Sequence, residues 1–329
     1  MSLADHRIDA MRETPSLARL DMEEATSLTS SIRVQGLTKR YGPRTVVKDL
    51  HLDIPMGVIA GFVGPNGAGK TTTIRMLLGL VKPTSGHAEV LGFPISRPND
   101  YLPRVGALIE GPAFYPTLSG RRNLEVLAAL GGTPPARIDE VLRIVDLHDR
   151  AADKVRSYSL GMKQRLGIAA ALLPDPALLI LDEPANGLDP AGILEMRRLL
   201  GRLRDRGITI FISSHILSEI EQIAEWILVL KSGELLFHGT MNELLQRTHS
   251  WFDVVTEHAE QLELLAALLT EDGYTVATMD GRLQIDGGVD RVGDVNRRAM
   301  NAGITLVEIG QHRATLEDTF LVMTEGDSQ

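Results

Sequence analysis

The feature that most limits how this chain can fold is an apolar strand running directly into a glycine-rich turn and then a helix. Val58 to Gly64 reads VIAGFVG, a nearly continuous apolar run of the kind buried on both faces of a parallel sheet. Gly64-Pro65-Asn66-Gly67-Ala68-Gly69-Lys70-Thr71-Thr72 comes next, with helical spacing from Thr71 to Leu80 ahead of Pro83. Glycines let backbone N–H groups turn inward around an anion, and the succeeding helix presents its positive end to it. The stretch satisfies the phosphate-loop pattern, in which Lys70 reaches the β and γ phosphates and the Thr71 hydroxyl holds Mg²⁺. The plain alternative is a glycine-rich turn with no ligand. A buried strand before it and a helix after it weigh against that.

A second block, Tyr158 to Pro190, reads YSLGMKQRLGIAAALLPDPALLILDEPANGLDP. LLILD is another buried strand, and it places Asp182 at its carboxyl end, where open α/β sheets bind ligands. Asp182 is positioned to coordinate Mg²⁺ through water. Glu183, one residue on, is the candidate base for an attacking water. A surface Asp-Glu pair capping the next turn is the competing reading, and the phosphate loop makes it the weaker one.

Elsewhere, Ile32 and Val34 alternate, as do Leu50, Leu52 and Ile54, which predicts strands. Arg121 to Leu130 and Ile138 to Val145 are helical in spacing, with Pro134-Pro135 between them. Ile193 to Arg204 predicts a helix, ITIFISSH a strand ending at His215, Leu217 to Ile223 a helix, and WILVLKSGELLFHG a hairpin turning at Ser232-Gly233. Alternating strands and helices imply an α/β fold with much of its sheet parallel. The tail reads βαββαβ plus a last helix, Leu316 to Met323, the split βαβ arrangement.

Charge separates that tail from the rest. The net charge is −9, and residues 251–329 hold 15 acidic against 5 basic side chains. Such a surface repels nucleic acid and anionic lipid, so no nucleic-acid partner is expected. With no cysteine, disulfides and thiolate metal sites are excluded, which fits a reducing cytoplasm. No run approaches the roughly 18–20 apolar residues a membrane span needs, and the first 30 residues lack a secretory apolar core. A membrane role must come through a partner.

The order GPNGAGKTT, YSLGMKQR, LLILDEP, ANGLD and SSH resembles the ATP-binding subunit of an ABC transporter, over residues 32 to about 240. The resemblance implies a P-loop NTPase fold of the ABC type, an ATP-binding domain over 31–250 with a helical subdomain at about 95–160. The polar residues 1–30 read as a loose arm, and the acidic 251–329 as a small α+β accessory domain. The cofactors the resemblance implies are ATP and Mg²⁺. By this resemblance Ser159 and Gly161 belong to the signature, whose helix meets the γ phosphate held by the other copy in an ATP-dependent, head-to-tail homodimer. The family's LSGGQ is altered here at Leu160 and Met162. Tyr41, in LTKRYG, resembles the aromatic that stacks on adenine, Asp189 the aspartate linking the two sites, and His215 the switch histidine at the γ phosphate. Packing alone would otherwise explain Tyr41 and His215, and an Asp-Pro turn Asp189. In VGALIEGPAFYP, Glu110 stands where the family has glutamine, and a carboxylate there can still reach metal or water.

Glu110 with FYPTLSGRRNL and YSLGMKQR is similar to the bacitracin and lantibiotic type of drug and peptide exporter. This likeness implies an ATPase that drives a separately encoded membrane permease and is held through it at the cytoplasmic face. Non-transport relatives handle chromosomes or ribosomes. The first carry a long coiled coil between phosphate loop and signature, and the second usually carry two cassettes; this chain has neither. A P-loop kinase or GTPase would leave the signature and SSH unexplained.

Overall fold

The computed structural model describes residues 30–111, 113–246, 251–287, 289–312 and 315–325. Residues 1–29 of the expected arm lie outside the described residues, and Ser30 opens the first strand. β1 (Ser30–Tyr41) and β2 (Arg44–Pro55) form a long antiparallel hairpin. Its alternating Ile32, Val34, Leu50, Leu52 and Ile54 are all buried. β3 (Ile59–Val63) and α1 (Lys70–Leu77) flank the glycine-rich turn. β4 (Ser85–Val90) and β5 (Phe93–Pro94) complete an antiparallel sheet in the order β2-β1-β4-β5.

The chain then passes through α2 (Pro98–Tyr101) to β6 (Val105–Leu108), and on to the helices α3 (Gly120–Gly131), α4 (Ala136–Ile144) and α5 (Leu160–Leu172). β7 (Leu178–Asp182), α6 (Pro190–Asp205), β8 (Thr209–Ser214) and α7 (Leu217–Glu221) alternate after them. β9 (Trp226–Lys231), β10 (Glu234–Thr240) and α8 (Met241–Leu245) complete this part. The central sheet runs β10-β9-β3-β8-β7-β6, parallel from β9 to β6 with β10 antiparallel at one edge.

Every residue of β3, β7 and β8 is buried because both faces of this sheet are covered. One face packs on α1 and the antiparallel sheet through Phe62, Ile180, Phe211 and Ile74, with Phe62 and Phe211 stacked at 5.3 Å between centroids. The other packs on α3 to α7 through Leu179, Leu181, Ile212 and Ile227. α7 approaches β3 so closely that a Cβ on Gly61 would overlap Ile220. The helical part begins later than the expected residue 95: Val105–Leu108 pairs in parallel with β7 and belongs to the central sheet. Four residues are too short to show periodicity, and pairing with β7 decides their conformation.

The acidic tail holds β11 (Trp251–Thr256), α9 (Glu260–Glu271), β12 (Val276–Met279), β13 (Arg282–Asp286), α10 (Val289–Asn301) and β14 (Leu306–His312). Its antiparallel sheet runs β12-β13-β11-β14 over a core of its own that includes Phe252, Val254, Leu265, Leu269 and Ile285. This is the split βαβ order expected from the alternation. The last helix, α11 (Leu316–Glu325), leaves that core. Leu316 is fully buried in the larger one, with Phe320 and Met323 packed beside it. Its N–H donates to Glu221 Oε2 of α7 at 2.8 Å. No helix among the described residues is long and apolar enough to cross a membrane.

Candidate functional site

Parallel pairing brings the ends of β3, β7 and β8 to one edge of the sheet: Val63 pairs with Ser214 and Asp182 with Ser213. Loops leaving that edge gather side chains that are far apart in sequence. Gly69 adopts φ 110° and lies so close to the Val46 carbonyl that a Cβ would sit 2.8 Å from its oxygen. Only glycine fits there. The loop closes through Ala68 N–H to Pro65 O at 3.1 Å and is held from outside by Gly233 N–H to Ala68 O at 2.9 Å.

Lys70, 6% exposed, donates from Nζ to Gly64 O at 2.6 Å and to Pro65 O at 3.4 Å, and lies 3.6 Å from Glu183 Oε1. Thr71 Oγ1 donates to Asp182 Oδ2 at 2.9 Å, and Ser213 Oγ donates to Asp182 Oδ1. Glu183 takes a left-handed φ of 52°, and its N–H donates to Ser213 O and Oγ at 3.2 and 3.1 Å. A non-glycine residue in that region is strained, and the two Ser213 bonds fix the turn that aims its side chain. His215 Nδ1 donates to Glu183 Oε2 at 2.6 Å, an orientation required because a carboxylate only accepts.

Lys70, Thr71, Asp182, Glu183 and His215 therefore form one cluster. Ser213 joins it without a signal in the sequence: SSH points to its histidine, and the strand register alone shows that Ser213 faces Asp182. Ser159 and Gly161 lie elsewhere. Ser159 caps α5 by accepting from Met162 N–H at 3.2 Å, and Asp189 caps α6 by accepting from Gly192 N–H at 3.0 Å. Those two helix starts are neighbours, since a Cβ on Gly161 would meet Leu188 Cδ2 at 3.8 Å and one on Gly187 would meet Leu160 Cδ2 at 3.1 Å. Among the described residues, neither Ser159 nor Gly161 makes a hydrogen bond to Gly64–Thr72. Tyr41 is 48% exposed at the end of β1, with Lys39 Nζ 4.9 Å from its ring centroid.

Glu110 sits just past β6 at φ 59°, and its carboxylate pairs with Arg75 of α1. Sequence reasoning misses Arg75, because nothing in a helix beginning at Lys70 marks its side chain as facing a loop 35 residues away. On the far side of Glu183, Glu219 of α7 is half-buried. Desolvation raises its pKa, opposed by the charges of Arg197 and His215.

The family model described as ABC transporter matches residues 47–186. The bacitracin transport ATP-binding protein BcrA of Bacillus licheniformis is 42% identical over 303 residues, 91% of this chain and 99% of that one. The daunorubicin resistance ATP-binding protein DrrA3 of Streptomyces coeruleorubidus is 38% identical over 91% of this chain and 97% of its own. The lantibiotic transport ATP-binding protein SrtF of Streptococcus pyogenes is 43% identical over 62% of this chain and 89% of its own. Among solved structures, an ATP-binding subunit of an ABC transporter superposes with a TM-score of 0.60 at 29% identity, covering 66% of this chain and 93% of its own. A nucleotide-free ATP-binding cassette gives 0.61 at 19% identity over 66% and 94%, a likeness of fold alone.

Proposed function

This chain belongs to the ABC transporter ATP-binding family, and from that premise we propose that it powers export of drug- or peptide-like compounds by a separately encoded membrane permease. It is an ATP-binding and ATP-hydrolysing subunit, and the cluster of Lys70, Thr71, Asp182, Glu183 and His215 is the observation that carries the assignment of roles. The bacitracin, lantibiotic and daunorubicin relatives support the export reading. They do not favour a chromosome-handling or ribosome-associated alternative. A chain without a membrane-crossing helix among its described residues reaches the cytoplasmic face of the membrane through that permease.

In this reading Gly64 to Thr72 cradles the phosphates, and Lys70 exchanges its loop carbonyls for β and γ phosphate oxygens. Tyr41 offers its exposed ring to the adenine. The Thr71 hydroxyl and the Asp182 carboxylate, already 2.9 Å apart, are hard oxygen donors of the kind Mg²⁺ takes, with Glu110 a further candidate once released from Arg75. Bound there, Mg²⁺ would supply positive charge that offsets that of the phosphates. Glu183 accepts the proton of the attacking water, while His215 orients that carboxylate and reaches toward the γ phosphate.

Ser159 and Gly161 make no bond to their own phosphate loop among the described residues, which supports a head-to-tail homodimer in which they meet the partner's ATP beside Asp189. Closure is a population shift, driven by tighter ATP binding to the closed pair. The division at residue 250 belongs to the same proposal: among the described residues the accessory domain supplies no side chain to the cluster and packs on the ATPase core through α11. Glu183→Gln is expected to bind ATP while losing about 10²–10⁴-fold in turnover, read as phosphate release. Near-normal turnover would remove Glu183 from the role of base.

A further inference from the structure

Behind the Glu183 turn, between α6 and α7, lies a small cavity of about 20 Å³. Three observations converge on it. First, its volume exceeds the roughly 10–15 Å³ that one water needs. Second, Arg197 of α6 lines it, and the Arg197 Nε is buried with no hydrogen-bond partner among the described residues. A buried donor left unpaired is destabilising, so its isolation calls for a partner. Third, Glu219 of α7 lines the same cavity, half-buried, with both Arg197 and His215 acting on its charge. The remaining walls include the apolar Met196, Leu200 and Ile220. Arg197 and Glu219 thus bring a donor and a carboxylate acceptor to the lining of this cavity.

We propose that one water occupies this cavity and bridges Arg197 Nε to the Glu219 carboxylate, making Arg197 and Glu219 positioning residues for the switch histidine. The placement gives the bridge its consequence. α6 is capped by Asp189 and carries Arg197 two turns further on; α7 begins two residues after His215 and carries Glu219 in its first turn. Glu183 and Asn186, from the loop between β7 and α6, form the cavity's near wall. A water held by both helices keeps the loop before α6 in register with His215. Movement of that loop against a second copy then reaches the histidine that holds Glu183. α7 has only five residues and cannot hold its own conformation, so such external bonds set its position. The inference rests on the ATPase reading for what the bridge serves, but not for whether the bridge exists.

The test combines a crystal structure that resolves ordered water with steady-state kinetics of the full chain. Ordered density within hydrogen-bond distance of both side chains is expected in the wild type and in Glu219→Gln, whose amide oxygen still accepts. It is expected to vanish in Glu219→Leu and Arg197→Met. Both of the latter should lose about fivefold in kcat with KM for ATP changed less than about twofold, and the double variant should be no slower than the worse single one. Glu219→Gln should stay within about twofold of wild type, a rescue that a purely ionic role for Glu219 does not allow. A dry cavity in the wild type overturns the bridge. Multiplying losses in the double variant, or unchanged kcat in Glu219→Leu, overturn its positioning role. If Glu219→Leu does not fold, Arg197→Met and the wild-type density still decide. A wild-type chain that hydrolyses no ATP would instead defeat the preceding functional reading, while the water density alone judges the bridge.

Discussion

At the carboxyl edge of β3, β7 and β8, Lys70, Asp182, Glu183 and His215 lie against one another and against the glycine-rich turn. On the C-terminal sheet, Arg282 is paired with Asp253 at 2.6 Å and with Glu308 at 2.8 and 3.1 Å. Both regions are sheets covered by helices, and both contain buried charge. Parallel strands send their loops to a common edge, so residues from sequence positions 70, 182 and 215 converge where a ligand can enter. The antiparallel tail pairs its charges across β13, β11 and β14, where they satisfy each other. The hydrogen bond to Glu308 first, then that to Asp253, hold the Arg282 guanidinium firmly protonated. One region leaves polar groups available for chemistry, and the other uses them to hold a fold.

Removing one cation from each region separates the two roles. Lys70→Ala is expected to weaken ATP binding by at least about tenfold, since charge-assisted phosphate contacts are worth about 1.5–3 kcal/mol. Arg282→Ala should change it by less than about twofold. Calorimetry with ATP measures both, and equal losses would erase the distinction.

The two regions meet through the packing of α11. Leu316 is fully buried in the ATPase core although it belongs to the tail in sequence, so Leu316→Ala should destabilise the chain by about 2–5 kcal/mol. Denaturant unfolding monitored through the ATPase part's tryptophan, Trp226, reads that loss. A midpoint unchanged there would make α11 an appendage of the tail alone.

A smaller effect is expected at the start of α11. Thr315 N–H and Oγ1 donate to Asp318 Oδ2 at 3.0 and 2.7 Å, and Thr315 Oγ1 accepts from Asp318 N–H at 3.1 Å. The Thr315 hydroxyl, and then its N–H, hold the Asp318 carboxyl below the usual carboxylate range. A depressed pKa contributes stability that is present above the unfolded value and is lost as pH falls through the folded one. Thr315→Ala should therefore cost about 1 kcal/mol near neutral pH and much less in acid below the ordinary carboxylate range. Thermal melts across pH test this; a cost independent of pH would contradict the contribution of the Thr315 bond to the Asp318 carboxylate.

The smallest effect is expected at Arg75 and Glu110, whose exposed pair should contribute no more than about 1 kcal/mol. Arg75→Gln should leave the melting temperature almost unchanged while speeding hydrogen exchange in the loop after β6. Unaltered exchange would show that Arg75 does not hold that loop.

Much of this is legible in the sequence because the residues concerned act locally. The turn from Gly64 to Lys70 needs glycines at fixed spacing, β7 needs an apolar run ending in Asp182-Glu183, and the tail's strands and helices announce their own periods. The rest depends on long-range packing. Val105–Leu108 is a strand only because β7 lies beside it. Ser213 faces Asp182 only through the register of β8, and Glu110 meets Arg75 only because α1 and the loop after β6 share an edge. Leu316 in the periodicity of a short tail helix looks like part of the accessory domain, and nothing in its neighbouring sequence indicates that α7 receives it.

The central claim is that the Lys70–Glu183 cluster is half of a site completed by Ser159 and Gly161 of a second copy. Sedimentation of Glu183→Gln with and without Mg²⁺ and ATP tests it most directly. Monomers are expected without nucleotide, dimers with it, and loss of those dimers when Ser159→Arg is added. A protein that binds ATP and remains monomeric, or dimers indifferent to Ser159→Arg, would contradict it.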